Sequence, residues 1–393
     1  MRKIGMLLKL KIVLSGIFFI LAINNLYAFE TVSKAAIIYD VNSKVVLMEK
    51  NADLPLPPAS MSKLMTLNMV FEALEDGRLK LDDTLPVSAN AQKYGGSTMF
   101  LTVRDRVSVE DLIRGVVVLS GNDASAVLAE ALSPDGTEKG FADMMTKRAK
   151  ALGMQNSTFK NSNGMPANDH RMSMRDLIIL AERLITVFPQ YYEYFAEKEF
   201  KYRNRAPDNR FNRNPLLKMN IGADGLKTGY TREAGYGLVG SAVKGNRRII
   251  FALAGLPTEN RRSKESERMA TWAFRQFTLT KIAKKGQSLG KAPVWLGSTR
   301  DIEMVVQSDI QLLVPILEKD NVSSTIKYLS PIAAPIKSGT KIAELLVSVP
   351  GFKDSSHPIV AGETVLQGKF WGRFKASAKI LGQLLRDKVV NIF

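Results

Sequence analysis

The chain has 393 residues, 45% of them hydrophobic and 8% aromatic, which is enough for two domains with sizeable cores. Its formal net charge of +17 points to an anionic neighbour, a lipid surface or a nucleic acid, without choosing between them. It has no cysteine and only two histidines, His170 and His357, so thiol nucleophiles and zinc–thiolate or iron–sulfur sites are excluded and a multi-histidine metal site is not expected. Lone histidines of this kind are ordinarily polar surface or loop residues. Chemistry must therefore rest on Ser, Lys, Tyr or carboxylates, and no metal or cofactor is expected.

Residues 1–28 have the pattern of a secretory signal: Arg2, Lys3, Lys9 and Lys11, the apolar run Ile12 to Ile23, and a cleavage site after Ala28. The run is too short to span a bilayer comfortably, although an uncleaved anchor is the alternative reading. Removing these four cations still leaves a strongly basic chain. An exported protein without disulfides must be stabilised by its core.

Ala35 to Tyr39 and Val45 to Met48 predict a hairpin around Asp40 to Lys44. Pro55, Pro57 and Pro58 break the chain, and Met61, Leu64, Met65, Val70 and Leu74 then recur at helical period from Ser60. Val107 to Leu132 is mostly helical, interrupted by the polar turn Ser120-Gly121-Asn122-Asp123, and Asp176 to Val187 is a further helix. Tyr236 to Ala242 and Arg248 to Leu253 are strands around Lys244-Gly245-Asn246, and Glu265 to Phe277 is a helix. Strand, many helices, then strands imply a mixed α/β domain with an antiparallel sheet over 29–282. From Lys284-Lys285-Gly286 onward, short β-type segments separated by Gly and Pro predict a small all-β domain over 283–370.

In residues 371–393, Trp371, Phe374, Ala378, Leu381, Leu385, Val389 and Ile392 fall on one helical face, with Arg373, Lys375, Lys379 and Arg386 away from it. Such a basic amphipathic helix suits an anionic membrane interface. The alternative is a terminal helix docked on its own domain.

Ser60-Met61-Ser62-Lys63 places a hydroxyl and an amine as neighbours on one helical face. A serine is a poor nucleophile until a base takes its proton, and lysine is such a base once burial or a second cation lowers its pKa. Pro57-Pro58 would fix the helix start, where the backbone field favours developing negative charge. Ser-x-x-Lys alone is weak, because it occurs at Ser60, Ser157, Ser241, Ser288, Ser324 and Ser338. Ser120-Gly121-Asn122 between two apolar helices can project a hydroxyl and a carboxamide into a cleft; by itself it reads more readily as Ser or Asn capping the following helix. Lys227-Thr228-Gly229, ahead of the strand pair, can aim a lysine and a hydroxyl from an edge strand at a carboxylate, with Gly229 admitting a ligand backbone. A similar Lys337-Ser338-Gly339 sits among Pro331, Pro335 and Lys341 and reads as a turn.

Together, Ser60, Ser120 and Lys227 follow the order and spacing of the Ser-x-x-Lys, Ser-x-Asn, Lys-Thr-Gly set of penicillin-binding proteins and class A β-lactamases. The chain resembles the low-molecular-mass penicillin-binding proteins, specifically the D-alanyl-D-alanine carboxypeptidases, over nearly its whole mature length. Pro58 to Thr66 looks like their nucleophile helix, and Asn161-Ser162-Asn163-Gly164-Met165-Pro166 is similar to a loop usually written Asn-Ser-His-Gly-Leu-Pro. The resemblance implies the penicillin-binding-protein/β-lactamase-like transpeptidase fold, a C-terminal β domain and an amphipathic tail at the inner membrane, with the enzyme periplasmic.

It also implies roles. Ser60 would attack the carbonyl between two D-alanines of a peptidoglycan stem peptide, with Lys63 as base, and β-lactams would inhibit by the same acylation. Ser120 and Lys227 would serve the leaving amine, and Asn122 would orient the substrate amide. Thr228 with Arg262 would bind the terminal carboxylate, Arg261 being the rival of Arg262. Backbone N–H groups of Ser60 and Tyr230 would form the oxyanion hole. Tyr230 and Asn163 both stand where relatives often carry histidine, and the first bears on deacylation.

A class A β-lactamase would need a Glu-x-x-Leu-Asn pattern, which is missing. A Ser-His-Asp hydrolase would need a nucleophile elbow, also missing. A non-catalytic wall-binding protein is opposed by the intact trio, and a nucleic-acid partner by the signal.

Overall fold

The computed structural model describes residues 29–205 and 207–369; the signal segment and the amphipathic tail expected from the sequence lie outside them. The described chain forms two compact units, one ending at Arg275 and the other starting at Gln276.

The first unit is built on a five-stranded antiparallel sheet in the order β2-β1-β7-β6-β5. Its strands are β1 (Ala35–Asp40), β2 (Val45–Lys50), β5 (Ala223–Thr231), β6 (Gly235–Lys244) and β7 (Arg247–Leu256); β3 (Thr84–Pro86) and β4 (Arg106–Ser108) form a separate ribbon. The helices are α1 (Lys63–Glu75), α2 (Val109–Arg114), α3 (Asn122–Leu132), α4 (Glu138–Ala151), α5 (Met174–Val187) and α6 (Glu259–Gln276).

Continuous apolar runs in β1 and β7 follow from burial on both faces. Ala35, Ile37, Ile250, Ala252 and Ala254 point into the core shared with α1, α3 and α5. Their alternates Ala36, Ile38, Ile249, Phe251 and Leu253 pack on Met269, Ala270 and Ala273 of α6. The predicted hairpin is β1–β2, and the turn at Lys244-Gly245-Asn246 joins β6 to β7. The last helix begins earlier than expected, at Glu259.

The second unit has a six-stranded sheet, β12-β14-β15-β10-β9-β13, and the pair β11-β8. Its strands are β8 (Phe277–Ala283), β9 (Ser288–Trp295), β10 (Asp301–Val306), β11 (Ile310–Pro315), β12 (Ser323–Lys327), β13 (Ile332–Ala333), β14 (Lys341–Ser348) and β15 (Ser355–Ala361). Ile302, Met304 and Val306 of β10 and Ala343, Leu345 and Val347 of β14 alternate into one core. The boundary expected at 282/283 falls one strand too late: Phe277–Ala283 pairs with β11 and belongs to this unit. The chain passes from α6 into β8 with no Gly or Pro between them, so Lys284-Lys285-Gly286 marks a turn inside the β unit instead of its edge.

Candidate active site

Pro58 ends the extended segment, and its carbonyl accepts Met61 N at 3.2 Å, closing a 3-10 turn over Ala59–Ser62. The nucleophile candidate Ser60 therefore sits one turn ahead of α1, with Lys63 as the first α-helical residue. Ala59 is held at φ 49°, a left-handed conformation costing about 1–2 kcal/mol outside glycine. Two glycines make room for this corner. A Cβ on Gly164, at φ +83°, would fall 1.9 Å from the Ala59 carbonyl oxygen, and one on Gly229 would fall 2.9 Å from that of Pro58. At Gly229 the glycine is thus required by the protein's own backbone at Pro58.

Lys63 is completely buried and stands at the centre of the cluster. Its Nζ donates to Ser60 Oγ at 3.1 Å, to Asn122 Oδ1 at 2.7 Å and to the Asn163 carbonyl at 2.5 Å. Burial pushes its pKa down to about 7; the positive charge of Arg213 adds to this, while Asp123 and Glu138 oppose it.

The helix from Val109 loosens into a π-helical stretch over Gly115–Leu119 and stops at Ser120, whose φ of 60° is left-handed. The helix resumes with Asn122, and Gly121 stands at its N-cap without a side-chain cap, so the N-cap reading of this tripeptide does not hold. Ser120 Oγ instead accepts Lys227 Nζ at 2.9 Å. Asn122 Nδ2 donates to the Gly95 carbonyl at 2.9 Å, fixing the carboxamide that holds Lys63.

Lys227, Thr228, Gly229 and Tyr230 lie on β5, which is an edge strand as expected. Lys227 is 2% exposed and its pKa is driven well below the usual lysine value by burial, then by Arg213, Lys63 and Arg262. Tyr230 is half-exposed and stacks on Tyr236 with ring centroids 4.2 Å apart. Of the two candidate arginines on α6, Arg261 is exposed and Arg262 is buried. Arg262 lies over the Tyr236 ring at 5.7 Å and donates to Glu259 Oε1 at 2.6 Å.

Some contributors lie in none of the three motifs. Arg213 donates to the Leu119 carbonyl at 2.7 Å, next to Ser120, and its charge acts on both lysines. Glu138 accepts from Ser162 N at 3.0 Å and from Asn163 Nδ2 at 3.3 Å, and also pairs with the Tyr94 hydroxyl, which pins the loop whose carbonyl holds Lys63. The buried Asp123 carboxylate accepts Met99 N and Leu101 N. His170 corrects the surface expectation: it is 2% exposed and packs edge-on against Phe159, and burial depresses its pKa to about 4. His357 lies in β15, where its Nε2 is 3.0 Å from Ser355 Oγ. Lys337-Ser338-Gly339 is a turn before β14, as expected. Among the described residues no cluster of metal-ligating side chains is found.

An antiparallel sheet flanked by helices thus presents a serine and a buried lysine at a helix start, with a second serine, an asparagine and an edge-strand lysine, the side chains of a candidate acyl-transfer site. A family model described as D-alanyl-D-alanine carboxypeptidase matches residues 24–258, and one described as penicillin-binding protein 5, C-terminal domain, matches 277–367. The chain belongs to the D-alanyl-D-alanine carboxypeptidase family. It is 34% identical over 362 residues to D-alanyl-D-alanine carboxypeptidase DacF of Bacillus subtilis, covering 87% of this chain and 91% of that one. The crystal structure of the D-alanyl-D-alanine carboxypeptidase DacD from Francisella tularensis superposes with a TM-score of 0.73 at 28% identity, covering 86% of this chain and 95% of that one. Penicillin-binding protein D2 of Listeria monocytogenes in its ampicillin-bound form is 31% identical with a TM-score of 0.56, covering 63% of this chain and 98% of that one. The enzyme is a hydrolase acting on D-Ala-D-Ala ends of cell-wall peptides, and a penicillin-binding protein.

Proposed function

We propose that the terminal D-alanine is released through an acyl-enzyme on Ser60. The observation that carries this is the 3.1 Å contact between Ser60 Oγ and Lys63 Nζ, with Lys63 buried and its pKa near 7. Lys63 takes the Oγ proton as Oγ bonds to the carbonyl carbon between the two D-alanines. Backbone N–H groups of Ser60 and Tyr230 hold the oxyanion, each donor worth roughly 3–4 kcal/mol. The C–N bond then breaks, and the leaving amine takes up the proton that Lys63 removed from Ser60, relayed through Ser120, which Lys227 contacts at 2.9 Å. Thr228 and Arg262 hold the terminal carboxylate, and Asn122 aligns the substrate amide while it keeps Lys63 in place. Water hydrolyses the ester and returns the proton to the Lys63–Ser60 pair. β-Lactams stop at the ester, in keeping with the ampicillin-bound Listeria relative.

We further propose that the enzyme is exported by residues 1–28 and works in the periplasm, held at the inner membrane by the basic amphipathic sequence 371–393. Among the described residues no helix is long and apolar enough to cross a membrane.

The test is labelling with fluorescent penicillin together with D-alanine release from a peptide ending in D-Ala-D-Ala. Both are expected from the natural chain and neither from Ser60→Ala. Undiminished labelling of that variant would refute the assignment of Ser60.

A further inference from the structure

One edge of the β unit carries an apolar surface that catalysis does not use. Leu329 is 90% exposed, Leu366 is 65% exposed and Trp295 is 38% exposed. Leu329 and Leu366 line a groove of about 750 Å³ together with Pro331, Ile332, Pro335 and Ile342. Trp295 sits beside it, because Ala333, another lining residue, is its partner in the β13–β9 pairing. The same end gathers the last described residues: Ser298 N donates to the Leu366 carbonyl and Gly368 N to that of Leu296, each at 2.8 Å. Exposed leucines at a groove rim cost solubility and signal a contact surface.

We propose that this Trp295–Leu329–Leu366 edge is a membrane-contact surface that beds into the headgroup region of an anionic bilayer. Three observations select lipid over a protein partner. The charged residues lining the groove, Lys337 and Lys341, are both cationic, although Lys341 also pairs with Glu344. Lysines at an apolar rim can reach phosphate while their stems lie on hydrocarbon. A tryptophan beside exposed leucines is the composition of a membrane interface, where the indole ring has an apolar body and a polar N–H. Finally, the chain leaves this edge at the exposed Lys369 and runs directly into the basic amphipathic sequence 371–393. The inference therefore deepens the anchoring reading: a lipid-seeking tail starting here brings this edge, before any other part of the β unit, to the bilayer.

The test uses the full mature chain carrying Trp272→Phe and Trp371→Phe, which leaves Trp295 as the single tryptophan of the original three. It is mixed with phosphatidylglycerol/phosphatidylcholine vesicles whose acyl chains are brominated. Loss of Trp295 emission on binding is expected, and Leu329→Asp with Leu366→Asp should abolish that loss and weaken vesicle partition about fivefold. Penicillin labelling of this double variant should be unchanged, which controls for folding. A chain that binds vesicles with Trp295 unquenched overturns the surface while leaving the tail as anchor. Leu381→Asp with Leu385→Asp separates the two readings. If partition is unaffected by it and Trp295 stays quenched, the anchor reading fails and the surface stands. A shift of Trp295 emission on that substitution without lipid would mean that the chain's own tail fills the groove, which also overturns the proposal.

Discussion

Ser60–Lys63 and Ser338–Lys341 share one spacing and have opposite surroundings. In the first pair the lysine is fully buried, held by a serine, an asparagine and a backbone carbonyl, with a further cation acting on it. In the second the lysine side chain is 56% exposed and ion-paired to Glu344, and Ser338 Oγ donates to the Gly362 carbonyl. That pair has neither the burial nor the neighbouring cation that makes a base of a lysine. The two pairs differ in desolvation and in a neighbouring cation, and these are assembled by residues distant in the chain. The strained Ala59, the glycines that admit it and the carbonyl of Asn163 all serve to keep one lysine dry.

That contrast is broken most directly by truncating each lysine in turn. Lys63→Ala should slow acylation by penicillin about 10³-fold, the scale of a lost general base, with the protein still folded by circular dichroism. Lys341→Ala should leave acylation within about twofold, as expected when only an exposed ion pair is lost. Comparable effects from the two variants would show that burial of Lys63 is not what makes it the base.

A second, smaller effect follows from the direction of the Lys63 shift. Its pKa is lowered to about 7, so the neutral amine that accepts the Ser60 proton dominates above that pH and is lost below it. The second-order rate of acylation should be flat above about pH 7 and fall roughly tenfold per pH unit below it. A solvated lysine would instead give a rate still climbing near pH 10. A profile that rises through pH 9 would therefore mean that the amine is hydrated in solution.

The site was legible in the sequence to the extent that it is made of side chains in short motifs. Ser60, Lys63, Ser120, Asn122 and Lys227 are candidates at readable spacing, and the structure places Lys63 against Ser60 and Asn122, and Lys227 against Ser120. Arg213 does not, since nothing local marks it and only the packing of its segment beside Leu119 gives it a role. The Asn163 carbonyl is invisible for a different reason: every residue type offers one, and the loop's position is set by Glu138 from another helix. Ala59 gives no sign of a left-handed backbone either, because alanine ordinarily avoids it. In the fold, β1, β2, β6 and β7 were readable as apolar runs around polar turns. The unit boundary was not, because helix runs into strand without a breaking residue.

Tyr230 offers the finest distinction between a residue that shapes the site and one that moves protons. It is half-exposed, with its ring stacked on Tyr236 and the Arg262 guanidinium over that second ring. Its backbone N–H is the part proposed for the oxyanion, and any side chain there keeps it. A histidine could in addition accept a proton from the deacylating water at neutral pH, which a phenol does poorly. Tyr230→His should therefore leave acylation unchanged and speed release of bound penicillin a few-fold, measured as decay of the fluorescent adduct. If release slows instead, the loss of the Tyr230–Tyr236 stack outweighs the new base, and the ring matters here chiefly by holding Tyr236 against Arg262.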